Sequence, residues 1–231
     1  MPKLALVGYG KMGKLLDQLA PEYGFETALR LDEFNNAAGA GMTPANFHGI
    51  DVAIEFSTPH TAVANIEALA ALGVNTVVGT TGWLDQMEHV KAVIARAGTG
   101  LVWSANYSIG VNVFFRLARE AAHLLKDEPG YGAWAWEIHH ITKKDAPSGT
   151  LLQIVNHMKS AGYPRNIDVS SNRAGAHPGT HEIGFDSAAD TITLRHAARS
   201  REGFARGALK AAQWLNGKKG FHEFGDILFQ P

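Results

Sequence analysis

The 231-residue sequence has no cysteine, which excludes disulfides, thiolate metal sites and cysteine nucleophiles together. No stretch approaches the roughly 18 consecutive apolar residues of a membrane-spanning helix. Neither sign of charge is in surplus. Lys and Arg number 21 against 22 Asp and Glu, a net charge of −1, and that balance argues against a nucleic-acid partner. A composition of 45% hydrophobic and 19% charged residues excludes wholesale disorder. The opening MPKLALVGYG holds only a short apolar run that already contains two glycines, unlike a secretory signal. These absences lead to the expectation of a cytoplasmic protein with no membrane and no nucleic-acid role.

Glycine and histidine are the residues in excess, at 25 and 11. Glycine at that level without low complexity points to tight turns and close approach of backbone to ligand. Up to about residue 107 strand and helix signals alternate. Strands are predicted at Lys3–Val7, Phe25–Leu31, Asp51–Phe56, Asn75–Val78 and Leu101–Trp103. Helices are predicted through Leu19, from His60 to Leu72 behind Ser57-Thr58-Pro59, and from Leu84 to Ala97. Such alternation gives a parallel, doubly wound sheet. The rhythm then changes. A helix over Ile109–Lys126, with Val113, Leu117, Ala121 and Leu124 at helical spacing, precedes a strand from Ala133 to Thr142. A helix over Ser148–Ser160, strands at Ile167–Ser171, His181–Phe185 and Thr191–His196, and a helix over Arg201–Leu215 complete an α+β layer. The expected division is a dinucleotide-binding domain over 1–107, to which 216–231 return, and a second domain over 108–215.

Gly8-x-Gly10-x-x-Gly13, with Lys11 and Met12 inside it, lies between the first strand and the first helix. In that setting the first glycine permits a tight turn, the second admits a pyrophosphate and the third lets helix and strand pack. Asp32 follows Gly13 by 19 residues, near the spacing of the acid that binds the adenine ribose. Glu33 adds a second carboxylate, which would repel a 2′-phosphate and so favours NADH over NADPH. Arg30 would offset that charge if it pointed the same way. Gly79-Thr80-Thr81-Gly82 and Ser104-Ala105-Asn106-Tyr107 end the fourth and fifth strands, on the edge where open α/β sheets bind ligands. A plain turn is the alternative at each place.

The stretch from Glu137 to Thr150 carries the most chemistry. On a strand running to Lys143, alternation puts Glu137, His139, Ile141 and Lys143 on one face. That pairs a group titrating near neutrality with a cation. Asp145-Ala146-Pro147-Ser148-Gly149-Thr150 opens a helix whose first amides suit a carboxylate. The competing reading makes His139 and His140 structural and Lys143 a solvated charge. His177 and His181 are spaced for a metal, but Pro178 and Gly179 break the helix that would align them, and no metal is expected. Arg195, Arg199, Arg201 and Arg206 either attract an anion or cap the neighbouring helix.

The string His139-His140-x-x-Lys143-x-Asp145-Ala146-Pro147-Ser148-Gly149-Thr150 resembles the signature of the 4-hydroxy-tetrahydrodipicolinate (dihydrodipicolinate) reductases. The likeness extends over nearly the whole chain, through Val78-Gly79-Thr80-Thr81-Gly82, Ser104 to Asn112, Arg173-Ala174-Gly175, His181 to Phe185 and Ser200 to Ala208. It implies a Rossmann-like domain plus a sheet domain that builds a homotetramer. It also implies NAD(P)H-dependent reduction of a small cyclic dicarboxylate on the diaminopimelate route to lysine. By that resemblance His139 is the acid/base residue, Lys143 the cation or proton donor beside it, and His140, Gly149 and Thr150 hold substrate carboxylates. Gly8 to Gly13, Asp32, Gly79 to Thr81 and Ser104 to Tyr107 line the cofactor. The chain departs from many members in having Lys11 and Glu33 where they carry arginine, and in a shorter Glu33–Ile50 segment. A different nicotinamide dehydrogenase would share the N-terminal half without His139 and Lys143 ahead of that turn. An NAD-sensing regulator would add a partner-binding element that the charge balance does not suggest.

Overall fold

The computed structural model describes residues 1–230. In chain order the elements are β1 (Lys3–Val7), α1 (Lys11–Leu19), β2 (Glu26–Leu31), β3 (Val52–Glu55), α2 (Pro59–Ala71), β4 (Asn75–Val78), α3 (Met87–Ala97), β5 (Gly100–Trp103) and α4 (Ile109–Leu124). Then follow β6 (Gly132–His139), α5 (Gly149–Ser160), β7 (Ile167–Arg173), β8 (Thr180–Asp186), β9 (Thr191–Ala197), α6 (Glu202–Leu215), β10 (Gly220–Glu223) and α7 (Phe224–Ile227). They form two compact units, Met1–Ser108 with Phe204–Pro231, and Ile109–Gly203.

The first unit holds a six-stranded sheet in the order β10-β5-β4-β3-β1-β2, all of its pairings parallel. Its inner strands β1, β3, β4 and β5 are mostly apolar because both faces are covered by helices; β3 is buried at all four positions. One core joins Ala62, Ile66, Val90 and Ile94 of α2 and α3 to Val78, Leu101 and Trp83. A second gathers Val7, Leu31, Phe47, Ala53 and Leu69. The chain runs from β1 to β2 on one side and crosses back to β3 on the other. The carboxyl ends of β1 and β3 therefore border the crevice where such sheets take ligands. The last segment lies in this unit, with β10 parallel to β5. From Phe204 onward α6 groups with this unit, and not with the second domain to which its place in the alternation assigns it. Gln213 Nε2 donates to the Tyr23 carbonyl at 2.7 Å, and Asn75 Nδ2 donates to the Leu215 carbonyl at 3.0 Å.

The second unit is a mixed sheet in the order β7-β6-β8-β9, with β6 parallel to β7 and antiparallel to β8, and β8 antiparallel to β9. Helices α4 and α5 cover one face, burying Phe114, Phe115, Ala118, Leu151, Ile154 and Met158 against Ala135, Ile183 and Phe185. Helix α4 presents a different face from the one the sequence suggested. Val113, Leu117 and Leu124 are 38%, 49% and 67% exposed, while Val111, Phe114, Phe115, Ala118 and Ala122 are buried. Two apolar stripes compete on this helix, and the one carrying two phenylalanines removes more apolar surface from water. Strand β6 also ends earlier than expected, at His139. The Lys143 amide bonds the His140 carbonyl at 3.1 Å, so the chain turns there and Lys143 is carried by a turn rather than by the strand.

Candidate active site

In the first unit the chemistry-bearing positions lie at the carboxyl ends of the strands. The Gly8 amide donates to the Leu31 carbonyl at 2.8 Å, which fixes the turn out of β1 beside the end of β2. A Cβ on Gly8 would lie 2.1 Å from the Phe56 carbonyl oxygen, and one on Gly13 would lie 2.5 Å from the Gly8 oxygen. Around Gly10 the space is open. Gly8 and Gly13 are thus needed by the protein itself, while Gly10 leaves room for something else. Gly10 caps α1 with no side-chain hydrogen bond and no acid in the first turn. A helix start left this way accepts an anion, so the residues present fit a dinucleotide pyrophosphate. Exposed Lys11 and half-buried Met12 open the helix.

Asp32 stands at the end of β2, its Oδ1 accepting the amides of Phe34 and Asn35 at 2.9 and 3.0 Å. Arg30 does not share its charge with that acid. Its guanidinium is bound by both oxygens of Asp17, at 2.7 and 2.8 Å. On the rim, the Thr80 hydroxyl accepts the Ser57 amide at 2.8 Å and the Thr80 carbonyl accepts the Trp83 indole N–H at 2.8 Å. Thr81 and Ala105 are exposed and Gly79 is half-buried. The Asn106 amide donates to Ser104 Oγ at 3.1 Å. The Tyr107 side chain turns inward, its hydroxyl 2.9 Å from the carbonyls of both Val78 and Val102. This phenol braces β4 and β5, and burial holds its pKa well above the ordinary tyrosine value.

A residue with no sequence-level signal stands behind this rim. Glu55, at the end of β3, is 0% exposed. Its Oε1 accepts the Ser57 amide at 3.1 Å, the Ser57 hydroxyl and Asn65 Nδ2 at 3.2 Å. Its Oε2 is buried without a partner. Burial raises this carboxyl, and the surrounding hydroxyl and amide donors only oppose the rise.

In the second unit the helix-covered face of the sheet changes character along its length. Ala133 and Ala135 of β6 pair with Ile167 and Val169 on one side and with Phe185 and Ile183 on the other, an apolar half. At the next register level the row reads Ser171, Glu137, His181 and His196 across all four strands. One level further on, Arg173 lies opposite His139. Every member faces inward because alternation continues unbroken while the residue type changes.

Glu137, also 0% exposed, is the hub of this polar end. Its Oε1 accepts the Ser148 amide at 2.8 Å, Arg173 Nη2 at 2.9 Å and the Ser171 hydroxyl at 3.0 Å. Its Oε2 accepts the Ser148 hydroxyl and lies 3.4 Å from His181 Nε2 and 3.5 Å from His139 Nδ1. Burial pushes the carboxyl up, but hydrogen bonds from His181, Ser148 and Arg173 outweigh it and hold Glu137 far below the usual carboxylate range. His139 is lowered to about 4, first by burial, with His181, Lys143 and Arg173 adding to the drop and Glu137 opposing it. At neutral pH its imidazole is therefore uncharged.

The turn beyond β6 brings the other predicted residues to the same end. His140 Nδ1 lies 2.7 Å from Thr142 Oγ1. Lys143 Nζ is 2.8 Å from Asp145 Oδ1. That carboxylate is held below its ordinary value mainly by Lys143, with a smaller contribution from the Gly149 amide. Ser148 caps α5, its hydroxyl accepting the Leu151 amide at 3.2 Å, so Gly149 and Thr150 are the first two helical residues. Arg173 Nη2 also donates to the Asp145 carbonyl, tying the turn to Glu137. The second unit thus assembles His139, His140, Lys143, Gly149 and Thr150, and adds Glu137, Ser148, Arg173 and His181.

Glu137, His139 and His181 also bring their ligand atoms within 4.8 Å of one another. Arg173 and Ser148 already occupy the carboxylate, and a guanidinium beside it opposes a second cation. The chemistry of the cluster is that of a hydrogen-bonded carboxylate. Of the late arginines, Arg206 pairs with Glu22 at 2.8 Å and Arg195 with Glu182 at 3.3 Å.

Two family models divide the chain between them. Residues 2–107 match the N-terminal model and residues 110–228 the C-terminal model of dihydrodipicolinate reductase. The chain belongs to the dihydrodipicolinate reductase family. Among curated relatives, the 4-hydroxy-tetrahydrodipicolinate reductase of Christiangramia forsetii is 33% identical, over 97% of each chain. That of Methanoregula boonei is 35% identical over 99% of this chain and 98% of its own. The fold is that of a dipicolinate-bound dihydrodipicolinate reductase from Paenisporosarcina sp. TG-14, with a TM-score of 0.78 at 22% identity over 98% and 99% of the two chains. An amine dehydrogenase from Mycobacterium smegmatis shares the architecture more loosely, at a TM-score of 0.66 and 8% identity. Membership makes the chain a pyridine-nucleotide-dependent oxidoreductase, as the glycine fingerprint and the His139–Thr150 string led one to expect. No helix among the described residues is long and apolar enough to cross a membrane.

Proposed function

We infer that this reductase-family chain converts 4-hydroxy-tetrahydrodipicolinate to tetrahydrodipicolinate with NAD(P)H, on the diaminopimelate route to lysine. The observation that carries the residue assignment is the unbroken His139–Thr150 string folded around one buried carboxylate. The substrate is a small cyclic dicarboxylate, in keeping with the dipicolinate bound in the Paenisporosarcina relative. Its carboxylates are taken by His140, Lys143 and the start of α5 at Gly149 and Thr150. Asp145 already places a carboxylate against Lys143 there, 2.8 Å away.

Loss of the 4-hydroxyl as water leaves a ring imine conjugated to a carbon–carbon double bond. A reduced nicotinamide, when held at the first unit's strand ends, would supply the hydride for the far carbon of that system, and the neighbouring carbon gains a proton. His139 and Lys143 deliver it in this reading. His139 is neutral before substrate arrives, and a dianion beside it raises its proton affinity. Gly8, Gly10, Lys11, Met12 and Gly13 hold the pyrophosphate and Asp32 the adenine ribose. Gly79, Thr80 and Thr81 with Ser104, Ala105, Asn106 and Tyr107 shape the nicotinamide end, Tyr107 from behind.

NADH is the favoured cofactor. The carboxylates of Asp32 and Glu33 after β2 would repel a 2′-phosphate, and Arg30 is committed to Asp17. A cytoplasmic homotetramer goes with this reading. The sheet face of the second unit opposite α4 and α5 carries Trp134, Trp136 and Ile138, all half-exposed in the single chain, and large apolar groups left in this way mark an assembly surface. Steady-state oxidation of NADH and NADPH, with substrate made in place by a coupled synthase, tests the reading. Rapid substrate-dependent oxidation with NADH ahead of NADPH is expected. Folded protein that binds NADH without oxidising it would overturn the assignment, and faster turnover with NADPH would overturn the Asp32–Glu33 argument.

A further inference from the structure

We propose that Glu137 is the positioning residue of this site, fixing His139 with its ring proton on Nδ1 and locking that imidazole to the start of α5 as one unit. The inference takes His139 as the acid/base residue of the preceding section. Three observations meet on Glu137. First, its carboxylate is fully buried yet ionised. It is neutralised on three sides, by Arg173 of β7 at 2.9 Å, by the Ser148 amide at the helix start at 2.8 Å, and by His181 of β8 at 3.4 Å. Second, His139 Nδ1 is buried with no hydrogen bond, and the Glu137 oxygen 3.5 Å away is an acceptor that a small ring movement reaches. Third, Ser148 caps α5 and binds Glu137 through both its amide and its hydroxyl, and Arg173 joins Glu137 to the Asp145 carbonyl.

An imidazole that gives its Nδ1 proton to a carboxylate keeps a lone pair on Nε2, and the carboxylate stabilises the imidazolium when Nε2 takes a proton. The groups acting on His139 are Glu137 on β6, Arg173 on β7, His181 on β8 and Lys143 in the turn, with His196 of β9 behind His181. Glu137 is the only one of the four named for His139 that favours the charged ring. Because the same carboxylate holds Ser148, displacing it would move the proton-transfer group and the carboxylate-binding turn together.

The test is a long-range proton–nitrogen correlation spectrum of the histidine rings at pH 7.5, with the His139 signals assigned by their loss in His139→Gln. In the unmodified protein His139 is expected to be neutral with its proton on Nδ1. In Glu137→Gln the proton moves to Nε2 in a substantial share of molecules. The kcat of that variant falls about 10- to 100-fold, the scale for a lost outer partner, with NADH affinity unchanged by fluorescence titration. Glu137→Asp, which keeps the charge, recovers part of both. A proton on Nε2 in the unmodified protein overturns the assignment, as does Glu137→Gln with the original tautomer and kcat. If Glu137→Gln does not fold, the unmodified protein's spectrum decides alone. The tautomer is read without turnover, so failure of the reductase reading and failure of this one remain distinct.

Discussion

Each unit buries one glutamate completely at the end of its sheet where the candidate chemistry lies, and the two carboxyls are shifted in opposite directions. Around Glu55 stand neutral donors, from Ser57, Thr80 and Asn65. Its carboxyl is pushed upward by burial. Around Glu137 stand a guanidinium, two imidazoles and the start of a helix, and its carboxyl is held down. Burial acts in the same direction on both, so the partners decide which way each carboxyl shifts. The contrast extends to the groups each unit presents. The first offers backbone and small polar groups at its strand ends, suited to an extended cofactor. The second offers a charged, hydrogen-bonded cluster, suited to moving a proton next to a dianion.

The largest effect expected from breaking this contrast is on turnover. His139→Gln and Lys143→Ala should each lower kcat by about two to four orders of magnitude, the range for acid–base groups, with NADH binding intact. Unchanged turnover in either variant removes that residue from the role. Next comes stability. Glu137→Gln leaves Arg173 without its buried anion and should cost on the order of 3 kcal/mol in urea unfolding, whereas Glu55→Gln should cost less than about 1 kcal/mol, since it strands no charged partner and an amide keeps the carboxyl's shape. Equal losses would erase the distinction between the two glutamates.

The smallest effect concerns pH. His139 titrates at about 4 in the folded chain, against roughly 6.5 when unfolded. Above 6.5 both states are neutral and it contributes nothing. As pH falls from 6.5 towards 4 only the unfolded state gains the proton, so stability is lost, by up to about 2 kcal/mol at pH 5. Glu137, with its depressed value, adds a further loss only below about pH 4.5, its ordinary value, and Glu55, with its raised value, acts in the opposite sense. Thermal unfolding between pH 7 and 5 should therefore show a shallower decline in His139→Gln than in the parent chain. Parallel declines would mean that His139 is not held neutral.

Much of the first unit was legible in advance. The Gly8–Gly13 spacing, the acid after β2 and the alternation of short apolar strands with helices each follow from local rules, and the rim segments were placed by strand order alone. Glu55 gave no signal because a lone glutamate at the end of an apolar run looks like a strand terminus. In the second unit the His139–Thr150 string stood out, but the route from strand to lysine did not. Alternation in the residue types continues to Lys143, whereas the strand ends at His139 and the His140–Lys143 turn follows. On α4 both apolar stripes have helical spacing, so periodicity had no means of choosing between them.

Residue type, spacing and period thus determined by themselves the parallel sheet, the glycine turn and the presence of a histidine–lysine site ahead of a helix start, since backbone sterics and side-chain alternation act over a few residues. The tertiary structure alone decided which polar groups share a row. Ser171, Glu137, His181 and His196 come from four strands that meet only through register. Their ionisation follows from that meeting and from the helices that exclude water above them, because electrostatic energy depends on neighbours in space and not in sequence.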